Sequence, residues 1–160
     1  MDKIIDIKNA IKISKNLRSE GKTIVLAGGV FDILHTAHIK FLENSKKYGD
    51  CLFVLLEDDS KARKVKGVNR PVNSQKDRAK ILSTLGSVDY VILLKNMTNN
   101  TKYDRIIIQI EPSILAATCR DPYIKHKKRQ AKLVQGKVVY VIKRINRHST
   151  TKYIQLININ

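Results

Sequence analysis

Ile24-Val25-Leu26-Ala27-Gly28-Gly29-Val30-Phe31-Asp32-Ile33-Leu34-His35-Thr36-Ala37-His38 is the stretch on which the fold turns. A continuous apolar run, without alternation, reads as a strand buried on both faces. Two glycines follow, where the backbone can turn sharply and approach a ligand closely. A helical pattern then runs from about Thr36 to Tyr48, carried by Ile39, Phe41 and Leu42. The first turn of such a helix offers free N–H groups and the positive end of a dipole to the preceding loop. Strand, glycine turn and helix start together make a place for phosphate. His35 and His38 lie three apart at that helix start, hence on one face, and two imidazoles there can donate hydrogen bonds to phosphate oxygens. A packed surface pair is the bland alternative. A metal pair would need a third ligand that the sequence does not place.

Four more apolar runs share this continuous character, at 52–56, 90–94, 114–117 and 138–142. Helical patterns lie between them: one opened by Ser74 with Ala79, Leu82 and Leu85 as its stripe, then 103–110 and 122–134, with 149–156 closing the chain. Ile7, Ile11, Ile13 and Leu17 predict an amphipathic helix ahead of the first strand, ended near Gly21. Residues 61–73 and 95–102 read as loops. Strands alternating with helices predict an α/β fold, a Rossmann-like, doubly wound parallel sheet of five strands. One domain covers 1–160, with the helix in 1–20 and the core in 22–160. Ligands of such sheets bind beyond the carboxyl ends of the strands.

Composition narrows the function classes. A chain of 160 residues with 42% hydrophobic content forms one domain with a real core. The apolar runs are too short to span a bilayer, so no membrane role is expected. Met1-Asp2-Lys3-Ile4-Ile5-Asp6 lacks the pattern of a secretory signal. Cys51 and Cys119 have no CxxC partner and read as free thiols, so a cytoplasmic location is expected. The net charge of +17 attracts polyanions. Lys, Ile and Asn are abundant throughout, however, and only 6% of residues are aromatic, too few for a base-stacking platform. Nucleic acid is therefore not the expected partner. Gly21-Lys22-Thr23 imitates the end of a P-loop, but Asn16 stands where the loop's first glycine belongs and the triplet precedes a strand; no GxGxxG occurs either.

Residues 29–38 resemble the G-x-F-D-x-x-H-x-G-H signature of the cytidylyltransferase-like nucleotidyltransferases, whose fold is of the HxGH type. The resemblance runs across nearly the whole chain. Residues 40–50, ending in Gly49-Asp50, resemble the family's first core helix. Lys66-Gly67-Val68-Asn69-Arg70-Pro71-Val72-Asn73, the stretch from Arg78 to Ile92, and His148-Ser149-Thr150-Thr151-Lys152 match further blocks in order. Within the family, the N-terminal helix and the 66–73 block are most similar to the heptose-1-phosphate adenylyltransferases.

The resemblance implies transfer of a nucleotidyl group, AMP from ATP ahead of CTP, to a small phosphorylated acceptor such as heptose 1-phosphate, with release of pyrophosphate. It also implies Mg²⁺ accompanying the triphosphate and a homodimer. The attacking phosphate is already an anion, so no covalent nucleophile is needed; positioned donors and cations are. By resemblance His35, His38, Lys46 and Arg78 are the catalytic group. Gly29, Val30, Phe31, Asp59, Ser149, Thr150 and Thr151 bind nucleotide, and Lys66 and Arg70 are the weaker candidates for the acceptor phosphate. Each has a plain alternative: a solvated lysine for Lys46, a surface charge for Arg78, helix capping for Ser149–Thr151, a structural loop carboxylate for Asp32. Three features depart from the family. Ala37 replaces a glycine, Gly28 a polar residue, and Ala117-Thr118-Cys119-Arg120-Asp121-Pro122-Tyr123 stands where the heptose enzymes carry Lys-Gly-Gly-Asp-Tyr. The basic run 125–129 has no counterpart. Glycerol-3-phosphate cytidylyltransferase and FMN adenylyltransferase chemistry, or a non-catalytic basic protein binding nucleotide or RNA, are the competing readings.

Overall fold

The computed structural model describes residues 2–95 and 97–142. In chain order its elements are β1 (Ile4–Ile5), α1 (Ile7–Ser19), β2 (Ile24–Gly29), α2 (Thr36–Lys46), β3 (Cys51–Leu56), α3 (Asp59–Lys66), α4 (Gln75–Ser83), β4 (Tyr90–Leu93), α5 (Asn100–Ile110), β5 (Ile114–Thr118), α6 (Ile124–Leu133) and β6 (Lys137–Ile142). All strand pairs are parallel, in the order β1-β4-β3-β2-β5-β6. The strand order reverses at β2, so the crevice between β2 and β5 is the switch point where such sheets take their ligands.

The continuous apolar runs of β2 to β5 are explained by burial on both sides; β6, at the edge, buries only Val141. Val25 and Ala27 of β2 pack with Phe41, Leu42, Ala79 and Leu82 from α2 and α4. Their neighbours Ile24 and Leu26 pack with Ala10, Ile106, Ile107, Ile110 and Ala131 from α1, α5 and α6. Alternate residues of one strand thus feed two cores. Helix starts are capped by side chains: Asp6 accepts from the Asn9 amide, Ser74 from Asp77, and Asn99 from Lys102. No helix among the described residues is long and apolar enough to cross a membrane.

Two expectations need correction. The sheet has six strands among the described residues, not five. Ile4 and Ile5 pair with Val91 and Ile92 at the edge, and Lys3 anchors the approach, its Nζ donating to the carbonyls of Leu85 and Val88. Two residues are too short to show a period. Residues 59–66, read in part as loop, form α3. Only Ala62 of that helix is buried, so no apolar stripe marks it. It is held by Asp58, whose side chain accepts from the Lys61 amide, and it ends at Gly67 with φ +115°, a conformation suited to glycine.

Candidate active site

β2 delivers its last residues to the carboxyl end of the sheet, and the chain then turns at Phe31, which takes φ +47°. The Phe31 ring folds back over Gly29, where a Cβ would come within 3.0 Å of it. A side chain at Gly29 would thus press on the Phe31 ring, which would have to give by a few tenths of an ångström. The same ring meets His38 edge-on at 5.4 Å. His35 is the N-cap of α2 and its carbonyl accepts from the amides of His38 and Ile39. One helical turn stacks the two imidazoles, with centroids 3.8 Å apart and planes 17° from parallel. Burial above all, then the nearby charges of His35 and Lys66, pushes His38 down to about 4, against a hydrogen bond to the Ile33 backbone. His38 is therefore neutral at pH 7, and its buried Nδ1 has no hydrogen-bond partner among the described residues.

The rest of the loop is fixed from below. Asp32 is buried and accepts from Arg70 Nε at 2.6 Å and from the amides of Val72 and Asn73, while Asn73 Nδ2 donates to its carbonyl. Burial alone would raise the Asp32 carboxyl; the Asn73 and Val72 amides and the Arg70 guanidinium together hold it below the usual carboxylate range. Arg78 is buried in α4. It donates to the carbonyls of Val30, Asn73 and Glu57 and to Asp59 Oδ1 at 2.7 Å.

These contacts redistribute the expected roles. His35, His38, Gly29, Val30 and Phe31 come together at the carboxyl end of β2. Lys66, the last residue of α3, bears on His38 and also lines the adjoining cavity. Asp59 opens α3 and is held by Arg78. Arg78 is not brought to the site surface: its side chain is 0% exposed, and its hydrogen bonds tie the loop to Asp59 and to the Glu57 carbonyl. Arg70 is buried and paired through Nε with Asp32. Lys46 does not join them at all. It ends α2, an 11-residue helix about 16 Å long, and donates to the Asp50 carbonyl and to Asp89 at 2.7 Å. Those partners flank the amino ends of β3 and β4, opposite the loop. Ser149, Thr150 and Thr151 lie outside the described residues.

A cavity of about 380 Å³ opens on the other side of the same loop. Gly28, Gly29 and Val30 form one wall, and Glu57, Lys61, Tyr103, His126 and Lys127 are among its polar groups. The Tyr103 hydroxyl donates to Glu57, 2.8 and 3.0 Å from its two oxygens. Burial, outweighing the Tyr103 bond and the Lys61 charge, raises the Glu57 carboxyl; burial and the Glu57 charge raise the Tyr103 phenol. The departing loop 117–123 lies here too, through Thr118, Asp121 and Tyr123. The basic run divides: Lys127 donates to the Ala116 carbonyl and to Asp121 at 2.6 Å, Arg129 grips Asp104 through both nitrogens, and His126 faces the cavity. The sequence reading missed Glu57, Tyr103 and Lys61. The available signal was the run of three acids, Glu57-Asp58-Asp59, immediately after a fully apolar strand, of which only Asp59 was singled out. Among the described residues no three His, Cys, Asp or Glu side chains converge as a metal cage.

Residues 26–156 match the cytidylyltransferase-like family. The chain belongs to that family. The cytidylyltransferase-like assignment covers the sheet from β2 to β6 and gives the chain the enzyme class of the nucleotidyltransferases. It is 44% identical over 114 residues to the bifunctional protein HldE of Wolinella succinogenes, and 45% identical over 104 residues to that of Aliarcobacter butzleri. These alignments cover 71% and 65% of the chain, but 23% and 21% of the relatives. The chain thus spans less than a quarter of the curated relatives it matches. A lipopolysaccharide core biosynthesis protein from Thermoplasma volcanium superposes with a TM-score of 0.60 at 30% identity, over 81% of this chain and all of that one. The pantoate-beta-alanine ligase of Francisella tularensis, at 14% identity over 90% of this chain and 68% of its own, shares the fold with a TM-score of 0.60.

Proposed function

We propose that this cytidylyltransferase-like chain transfers AMP from ATP to a sugar phosphate of the heptose 1-phosphate kind and releases pyrophosphate. One observation carries the reading: the stacked histidines at the start of α2 and the cavity share the loop from Gly28 to Val30. A triphosphate at the helix start and an acceptor in the cavity would meet across that loop. The choice of heptose and adenylate follows the resemblance of the N-terminal helix and the 66–73 block to the heptose-1-phosphate adenylyltransferases. An acceptor phosphate oxygen attacks the α-phosphorus, a new P–O bond forms, and the bond to the leaving pyrophosphate oxygen breaks. The α2 amides and the two imidazoles stabilise charge on the phosphates, with Lys66 between the two sites. Negative charge beside His38 favours the imidazolium, so the pair takes up a proton as the triphosphate binds. Mg²⁺, in this reading, enters with the triphosphate, since phosphates supply most of its ligands in such sites.

A matrix of nucleoside triphosphates against sugar phosphates, read by pyrophosphate release, tests the assignment. Turnover with ATP and heptose 1-phosphate is expected. His35→Ala and His38→Ala should each lower kcat by about 10²–10³. A fully active double variant would remove the histidines from the mechanism. Turnover only with CTP and glycerol 3-phosphate, or only with FMN, would reassign the acceptor and keep the chemistry.

A further inference from the structure

We propose that Glu57, oriented by Tyr103, is a specificity-determining residue of the cavity and reads the hydroxyl groups of a polyhydroxylated phosphate; the assignment rests on the acceptor role proposed for that cavity. Glu57 is the first residue beyond β3. Its backbone is held at both ends, the amide donating to the Gly29 carbonyl at 3.1 Å and the carbonyl accepting from Arg78 Nη2 at 3.0 Å. The root of the side chain is thus fixed before any ligand enters. Tyr103, from α5, holds the carboxyl end, and Lys61 Nζ lies 5.5 Å from the centre of the Tyr103 ring.

The charge arrangement is what makes Glu57 informative. Lys61, Lys66 and Lys127 line the same cavity. Yet among the described residues Glu57 forms no ion pair, whereas Asp121, which lines the same cavity, is paired with Lys127 at 2.6 Å. A tyrosine has a single proton to give, and an ionised carboxylate has about four acceptor positions. Glu57 therefore keeps acceptor capacity that a ligand with hydroxyl donors can fill. Toward an anion without hydroxyls it offers only repulsion. Such a group discriminates by penalising the wrong ligand as well as by holding the right one. In this arrangement the lysines take the phosphate and Glu57 takes the hydroxyl end.

Binding titrated by calorimetry without nucleotide tests this independently of turnover. The probes are mannose 1-phosphate, glycerol 3-phosphate and methyl phosphate, in falling order of hydroxyl count. The unaltered chain should bind the first about 10- to 100-fold more tightly than the last, the range of hydrogen bonds to a charged group. Glu57→Gln should collapse that ratio toward one while methyl phosphate binds equally or better. Tyr103→Phe should lower the ratio in part. ATP affinity should stay within about twofold in both, which a general loss of structure would not allow. A ratio unchanged in both variants, or absent in the unaltered chain, overturns the proposal. Turnover in the pyrophosphate assay without hydroxyl discrimination would sink this proposal alone. Glu57-dependent discrimination without turnover would sink the transfer reading alone.

Discussion

His38 shows how one side chain can register both folding and ligand. Its pKa falls from 6.5 to about 4 in the folded chain. Between those values the unfolded chain binds the extra proton, so stability is complete above about pH 6.5 and falls as the pH drops toward 4. Thermal melts across that window should show the decline, and His38→Gln should flatten it. The same imidazole followed by NMR should titrate near 4 in the free protein and upward of that with ATP bound; an unchanged midpoint would mean that the triphosphate lies elsewhere. Lys46 makes the opposite prediction. Bound to Asp89 at the far end of α2, it should tolerate Lys46→Met with kcat within about twofold and a stability loss of at most about 1 kcal/mol, as for a partly exposed ion pair. A kcat loss of the size expected for the histidines would restore it to the site.

Elements were legible in the sequence wherever packing imposed a period. The five apolar runs are five of the strands; β2 to β5 are covered on both faces and have no room for polar residues, whereas β6, at the sheet edge, keeps an apolar run although only Val141 is buried. α1 and the Ser74 cap of α4 were equally plain. β1 was hidden by its length, and α3 by its single buried residue, Ala62. The signature loop was readable because its glycines and histidines are close in sequence. The cavity was not, because Glu57 and Tyr103 stand 46 positions apart and meet only through the order of strands. Burial of Arg78 was also invisible: an arginine in a helix reads as surface until its acceptors are known. Arg78→Ala would strand the carbonyls of Val30, Asn73 and Glu57 in the interior. A destabilisation of about 3 kcal/mol or more is expected from denaturant unfolding. At the turn between α6 and β6, a Cβ on Gly136 would stand 2.7 Å from the Pro112 carbonyl oxygen. Gly136→Ala should cost about 1–3 kcal/mol in the same measurement, because backbone cannot move aside cheaply.

On the scale of the whole molecule, the charge of +17 acts as a field and not as a site. It should draw triphosphate toward the loop at low ionic strength and fade as the screening length falls to about 10 Å near 0.1 M salt. ATP affinity should thus weaken severalfold between about 0.05 and 0.3 M salt. His38→Ala should bind more weakly throughout and with a shallower slope, since one charged contact to phosphate is lost. The switch point also separates two duties of the molecule. One face, with α2 and α4, carries the histidines and the buried arginine; the other, with α5 and α6, closes the cavity.

Arg78 bonds both to Val30 in the signature loop and to the Glu57 carbonyl at the rim of the cavity. An engineer seeking a new acceptor would therefore leave the backbone of the turn between β3 and α3 in place, because moving the Glu57 carbonyl disturbs the signature loop through the shared guanidinium, whereas exchanging the Glu57 side chain leaves that bond intact. Tyr103, His126 and Lys127 make no bond to Arg78 and sit on helices that can be redesigned separately. Inherited changes of substrate in this lineage should accumulate on those two helices first.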